Sequence, residues 1–250
     1  MFFSKKLKKL KNIHHCFFSR KGGCSKGIYK GLNCGRGSAD KRKYILKNLE
    51  LVEKKMKVKK DHLILMHQTH SNKVVEIKNK NKRKKIYSDA IITRVKGIAL
   101  GVVTADCVPI LIFDKKKKIA GCIHAGWRGA FSDIIKNTIS KIKKGNPKSE
   151  IFASIGPCIG YKNYEVDLNF YRNFLSKTKK NKKYFYRKNV NKKFFDLRRY
   201  VEDKLLEHDV KIDHINKDTF KEKNFFFSYR RSKKEMQNDY GRCISAICLT

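Results

Sequence analysis

Cys107, His124 and one histidine of the loop His67-Gln68-Thr69-His70 have the types and spacing to share a metal ion in this 250-residue chain. Two imidazoles and a thiolate suit Zn2+, and three protein ligands leave a fourth position for water or substrate. A zinc-held water loses its proton near neutral pH and becomes a nucleophile. Copper accepts the same donor set. The bland alternatives are a hydrogen-bonded structural histidine and an inert thiol before Pro109.

The elements around these residues bring two of them together. The stretch Gly101 to Asp114 and the stretch Ile119 to Gly129 are apolar and β-branched, and four lysines, Lys115 to Lys118, separate them. This reads as a β-hairpin. A turn centred between Lys116 and Lys117 pairs residues whose numbers sum to about 233, so Cys107 lies opposite Gly126 and His124 opposite Pro109. The two ligands then sit diagonally across the hairpin mouth, with backbones roughly 7–8 Å apart. Both occupy strand ends, where a rigid scaffold presents reactive groups.

Other residues nearby are candidates for supporting roles. Asp106 either orients a ligand imidazole or caps a turn. Gly126-Trp127-Arg128-Gly129 leads into helical spacing at Phe131, Ile134, Ile135, Ile139 and Ile142, and the amides starting such a helix can hold an anion beside Arg128. Gly156-Pro157-Cys158-Ile159-Gly160 is a tight loop, either admitting a ligand or simply turning. Arg20-Lys21-Gly22-Gly23 and Tyr229-Arg230-Arg231 offer cations.

Further strand candidates are Leu63 to Leu65, Val74 to Ile77, Ala90 to Ile92, Ile151 to Ile155, Phe225 to Tyr229 and Cys243 to Leu249. Leu46, Leu49 and Val52 mark one helix, and Leu197 to Leu206 another. Strands in the middle with helices around them indicate an α+β fold, mixed β-sheets in a sandwich flanked by helices. No linker or repeat divides the chain, so residues 1–250 read as one domain.

Composition narrows the classes. Lys and Arg number 61 against 22 Asp and Glu, a formal charge of +39. Lysine runs recur at Lys5 to Lys11, Lys54 to Lys60, Lys82 to Lys85, Lys115 to Lys118 and Lys177 to Lys183, so the charge reads either as decoration of solvated faces or as a non-specific polyanion surface. Eight cysteines form no CxxC pair, which fits a reduced compartment. Met1 to Lys11 lacks a signal-peptide pattern, and no apolar run reaches the ~18 residues of a membrane span. A cytoplasmic location is expected. Eight histidines with no His-X-His pair argue against the clustered coppers of an oxidase.

At its motifs the chain resembles the YfiH family, whose members have been labelled multicopper polyphenol oxidases or laccase-domain proteins and also described as zinc-dependent purine nucleoside phosphorylases. The matching segments are Ser19 to Gly23, Gly31 to Asn33, Gln68 to His70, Ser88 to Ala90, Thr104 to Pro109, His124 to Gly129, Gly156 to Gly160 with Tyr164 to Val166, and Phe227 to Arg231 with Gly241-Arg242. The resemblance implies a YfiH-like α+β sandwich and places the metal ligands at His70, Cys107 and His124, choosing His70 over His67. Among the matched residues Asp106, Cys107 and Arg128 are the catalytic candidates, with Asp106 and Glu165 the candidates for the acid/base, and Arg20, Asn33, Arg128, Gly156 and Arg230 are the substrate-binding candidates. The implied activity is phosphorolysis of adenosine, inosine and S-methyl-5′-thioadenosine, with deamination of adenosine; the partners are purine nucleosides and phosphate, and the cofactor is zinc, with copper as the alternative. Two other functions remain open at this point: a copper-dependent polyphenol oxidase and an accessory protein that edits cell-wall precursors.

Overall fold

The computed structural model describes residues 1–79, 85–145 and 148–250; of the lysine run at 82–85, residues 82–84 lie outside them. Among the described residues the strands are β1 (Ile13–Phe17), β2 (Leu63–Leu65), β3 (Val74–Ile77), β4 (Ala90–Thr93), β5 (Ala99–Thr104), β6 (Val108–Asp114), β7 (Ile119–Ala125), β8 (Ile151–Ile155), β9 (Glu165–Asp167), β10 (Phe185–Arg187), β11 (Lys192–Phe195), β12 (Lys211–His214) and β13 (Cys243–Leu249). The helices are α1 (Lys5–Lys8), α2 (Arg42–Met56), α3 (Trp127–Phe131), α4 (Ile134–Lys143), α5 (Leu168–Lys177), α6 (Leu197–Leu206) and α7 (Tyr229–Lys234).

Two sheets face each other. One has the order β1-β13-β5-β2 and the other β12-β8-β6-β7-β4-β3; a third, small sheet runs β10-β11-β9. Alternation along each strand explains the layering. Leu111 and Phe113 of β6 and Ala120 and Cys122 of β7 meet Leu100 and Val102 of β5 and Ile247 and Leu249 of β13 between the sheets. The alternate residues, Ile110, Ile112 and Ile123, pack outward on Ile134, Ile135 and Ile139 of α4 and on Val201 and Leu205 of α6. On the far side, Ala99, Ile244 and Ala246 pack on Ile45, Leu49 and Val52 of α2. Strands apolar on both faces are the signature of a sheet covered on both sides. The result is a helix-sheet-sheet-helix sandwich, as the sequence pattern indicates.

The central hairpin has the expected register, with Val108 opposite Ala125 and Pro109 opposite His124. Two expectations fail. The segment 225–229 is not a strand: Phe226 and Phe227 bury with Cys243, and the Arg231 guanidinium donates to the carbonyls of Thr219, Phe220 and Phe226 at 2.6–2.7 Å, where a strand partner would otherwise bond. The long helix expected from Phe131 is broken, because Asp133 adopts a left-handed φ of 69° and separates the five-residue α3 from α4. No helix among the described residues is long and apolar enough to cross a membrane. All eight cysteines are free.

The N-terminus is fastened at His15, a 3% exposed residue of β1 whose Nε2 accepts the Ser4 amide at 2.9 Å. Burial, with the neighbouring His14, lowers its pKa from 6.5 to about 4 despite the opposing influence of Asp213. Between those values the unfolded chain takes up a proton that the folded chain refuses. Stability present above pH 6.5 is therefore lost as the pH falls towards 4, by up to about 3 kcal/mol. Urea denaturation across this window should show that loss, and His15→Gln, which can accept the same bond but cannot titrate, should flatten it; an unchanged slope in the variant would refute the assignment.

Candidate metal centre

His70, Cys107 and His124 converge, with their ligand atoms all within 4.8 Å of one another. Cys107 Sγ lies 3.9 Å from His70 Nε2, and the two imidazole rings are 4.7 Å apart at 75°. Tetrahedral zinc with nitrogen and sulfur ligands spaces those atoms about 3.5 Å apart, so a small contraction suffices. His124 is buried, Cys107 partly so, and His70 exposed, which leaves the third side facing solvent. His124 shares the face of Ala120 and Cys122, so the group stands at the open end of the space between the sheets.

Asp89 organises this group, although the sequence reading gave it no role. It is fully buried just ahead of β4. Its Oδ1 accepts His124 Nδ1 at 2.8 Å and the His70 amide at 2.9 Å. Its Oδ2 accepts the amide and hydroxyl of Ser71, both at 2.7 Å, and those of Thr69 at 3.2 and 3.3 Å. The bond to Nδ1 leaves Nε2 of His124 as the donor towards the site, the usual means by which a carboxylate fixes a ligating imidazole. Wrapping three successive amides around one carboxylate requires the left-handed turn that His70 makes at φ 59°. Gln68 anchors the start of that loop, its amide exchanging two hydrogen bonds with the backbone of Val103. His67 turns away, its ring 4.8 Å from Tyr87.

The electrostatics follow from this packing. Burial would raise the Asp89 carboxyl, yet the bonds from His124 and Ser71 hold it well below the usual carboxylate range. Burial likewise opposes the Cys107 thiolate, but the charge and hydrogen bonds of His124 and His70 win and bring the thiol from 9.0 down to about 6. His124, disfavoured as a cation by burial, is raised to about 9 by Cys107 and Asp89. A thiol this acidic is half-prepared to ligate, since the thiolate is the metal-binding form.

Asp106 does not orient either imidazole. Its Oδ1 accepts the Thr219 hydroxyl at 2.6 Å and its Oδ2 the Arg230 amide at 2.8 Å, while its carbonyl accepts the Ile159 amide. It ties three loops to the segment carrying Cys107. Burial pushes its carboxyl up despite the bonds from Thr219, Arg230 and Ser228. The anion-holding helix start is also corrected, because α3 is only five residues long and the longer α4 begins at Ile134.

The remaining candidates divide. Arg128 is exposed on α3 and stands 5.2 Å from the Trp127 ring. Arg230 lies 5.3 Å over the ring of Tyr164, a phenol pushed up by burial and by the nearby Cys107. Arg230 is tied near the group through the bond from its amide to Asp106, the neighbour of Cys107, and Arg128 follows two residues after Gly126, which abuts His70 and Cys107. Arg20 is committed to the carbonyls of Lys30 and Lys223 and covers Phe227, although it also lines a cleft of about 320 Å3 with Ser228, Arg231 and Tyr240. Asn33 does not reach a ligand: it is fully buried, its Nδ2 donates to Ser38 and Asp40, and its Oδ1 accepts the Gly35 and Arg242 amides. Gly156 is likewise a packing residue, since a Cβ there would meet Phe17 at 2.4 Å and Pro109 at 2.8 Å.

Gly126 is the residue whose smallness the site needs. A Cβ there would lie 2.8 Å from His70 Cδ2 and 3.0 Å from Cys107 Sγ. Gly126→Ala should therefore lower affinity for any ion held by this group, with zinc as the probe, about 10- to 100-fold, the range typical when ligand positioning is disturbed. Titration against a chromophoric chelator measures this, with circular dichroism to confirm the fold; wild-type affinity in the variant would show that the two ligands do not close on one ion.

A family model described as multi-copper polyphenol oxidoreductase laccase matches residues 14–250. A purine nucleoside phosphorylase of Rickettsia prowazekii is 37% identical over 212 residues, covering 82% of this chain and 85% of the relative. Another from Haemophilus influenzae is 31% identical over 242 residues, covering 95% and 94%. Among solved structures, a Neisseria meningitidis protein superposes with a TM-score of 0.85 at 28% identity over 96% of this chain and 95% of that one. A Bacillus licheniformis YfiH protein shares the fold, with a TM-score of 0.89 at 23% identity over 97% and 95%. A match that runs from β1 to the C-terminus and takes in all three candidate ligands leaves one assignment: the chain belongs to the YfiH family of laccase-type proteins.

Proposed function

We propose that this protein is a zinc-dependent purine nucleoside phosphorylase. The observation that carries the reading is the convergence of His70, Cys107 and His124, with Arg230 anchored by its amide to Asp106 beside Cys107 and Arg128 two residues past Gly126; the names of the Rickettsia and Haemophilus relatives support it. In the reaction a phosphate oxygen bonds to the anomeric carbon of the sugar as the bond to the purine nitrogen breaks. The base leaves with the bonding electrons, takes a proton, and a sugar 1-phosphate remains. Arginine suits the phosphate because its planar fork holds two oxygens at once. Arg128 is exposed on a short helix beside the Trp127 ring, whereas Arg230 is steadied by the bond between its amide and Asp106. The cleft bounded by Arg20, Ser228 and Tyr240 offers the nucleoside a place, on the side where Cys107 is near enough to help burial raise the Tyr240 phenol. Orientation of this kind supplies a large part of the rate in a two-substrate reaction.

His70, Cys107 and His124 would hold the ion, and when bound it supplies a Lewis acid for a substrate oxygen or a water. Zinc is preferred over copper on the donor chemistry, since among the described residues there is one such group of three and the chain has no His-X-His pair. Adenosine, inosine and S-methyl-5′-thioadenosine are the proposed substrates, with deamination of adenosine as an accessory activity.

Metal-replete protein given inosine and phosphate should release hypoxanthine and ribose 1-phosphate, followed by chromatography and mass spectrometry. Cys107→Ser should lower that rate about 100-fold or more, at the upper end of the losses seen when a metal site is disturbed. Adenosine incubated without phosphate reports deamination separately. Absence of phosphate-dependent base release from all three nucleosides would overturn the reading.

A further inference from the structure

We propose that the outer face of the small sheet β10-β11-β9 is a platform for single-stranded nucleic acid, on which Tyr161, Tyr186 and Phe194 stack against bases while Lys188, Lys192 and Arg199 hold phosphates. The sheet register sorts its side chains. Phe185 and Phe195 are cross-strand partners, and their rings pack on Phe170 and Phe174 of α5. The next pair, Tyr186 opposite Phe194, must point the other way. Both are half-exposed on that side. Tyr161 extends the row, its ring 4.7 Å from that of Tyr186 and tilted by 40°.

Cations border these rings. Arg199 Nη1 donates to the Tyr186 hydroxyl at 3.3 Å, and Lys188 Nζ stands 5.7 Å from the Phe194 ring. Glu165 pairs with both Lys188 and Lys192, which keeps two ammonium groups beside the rings and still leaves excess positive charge. On this face and its border Lys162, Lys188, Lys192 and Arg199 stand against Glu165 and Asp167. A cationic groove with exposed rings is the common design of sequence-tolerant single-strand binding, because every base has a face to stack and every nucleotide a phosphate. A duplex buries those base faces. Lys54 and Lys55 at the end of α2 carry charge and, among the described residues, stand over no aromatic ring, so the two regions separate stacking from charge.

The test is fluorescence anisotropy with a labelled 12-nucleotide single-stranded RNA, with a duplex of equal length and inorganic polyphosphate as comparisons. The double variant Tyr186→Ala, Phe194→Ala should weaken single-strand binding about tenfold or more, as expected for losing two stacking rings. Lys54→Gln with Lys55→Gln should weaken it less than about threefold, since surface charge alone contributes diffusely. If the alanine variant melts early, Tyr186→Leu with Phe194→Leu keeps the apolar volume and should show the same loss. Wild-type binding by the folded ring variants, or competition by the duplex and polyphosphate equal to that by RNA, would overturn the proposal. Binding is measured without nucleoside or phosphate, so its outcome is read separately from that of phosphorolysis.

Discussion

The buried carboxylate of Asp89 is the interaction on which the candidate site depends. One oxygen holds the imidazole of a strand residue, His124, and the backbone of a loop residue, His70; the other oxygen clamps the loop through Ser71 and Thr69. A carboxylate with six donors is stable as an anion even where burial disfavours charge, because each desolvated lone pair is met by a hydrogen bond. Replacing such a group leaves several amides unpaired in an apolar setting. The cost is cooperative, and it falls on both ligands together. Sheet and loop are thus coupled at one atom, which gives a three-ligand site its precision without a long rigid element beneath His70.

That arrangement also explains the small residues around it. The strands bring Cys107 and His124 to the mouth of the hairpin, but the diagonal between them passes over Gly126, and any side chain there would occupy the space of His70 and Cys107. Gly156 performs a different service one strand away, letting Phe17 of one sheet close against Pro109 of the other. The same glycine-rich look in the sequence therefore has two physical origins. One glycine clears room for a ligand set, and the other lets two sheets approach.

How much of this was legible depends on the sequence distance of the forces involved. The β6-β7 hairpin could be read because a four-lysine turn sets its register locally, and the pairing of Pro109 with His124 followed from counting. The apolar strands and α2, α4 and α6 were legible from periodicity. Asp89 was not, since its meeting with His124 arises from the pairing of β4 with β7, across more than thirty residues and with nothing local to announce it. Asp106 attracted the role that Asp89 holds because it is adjacent to Cys107 in sequence, yet its side chain points to Thr219 and Arg230. The strands β1 and β12 were passed over because Ile13–Phe17 and Lys211–His214 carry histidine, lysine and aspartate where a hydropathy pattern looks for apolar residues. The break at Asp133 was hidden for the converse reason: apolar spacing continues through it while the backbone does not.

The arginines show how structure divides residues that composition treats alike. Arg231 spends its guanidinium on three backbone carbonyls and Arg198 spends its own on the carbonyls of Ile215 and Lys217, so both fasten the loop that follows β12. A guanidinium used this way is costly to redirect, because the carbonyls it serves would be left unpaired. Arg128 and Arg230 carry no such duty through their side chains among the described residues, although one sits exposed on a short helix and the other over an aromatic ring. The excess of +39 raises the local concentration of any anion around the whole molecule, but attraction spread over the surface cannot orient a phosphate. Orientation requires a cation held at a fixed place, and Arg230 is one such, since its amide is tied to Asp106 in the segment that carries Cys107.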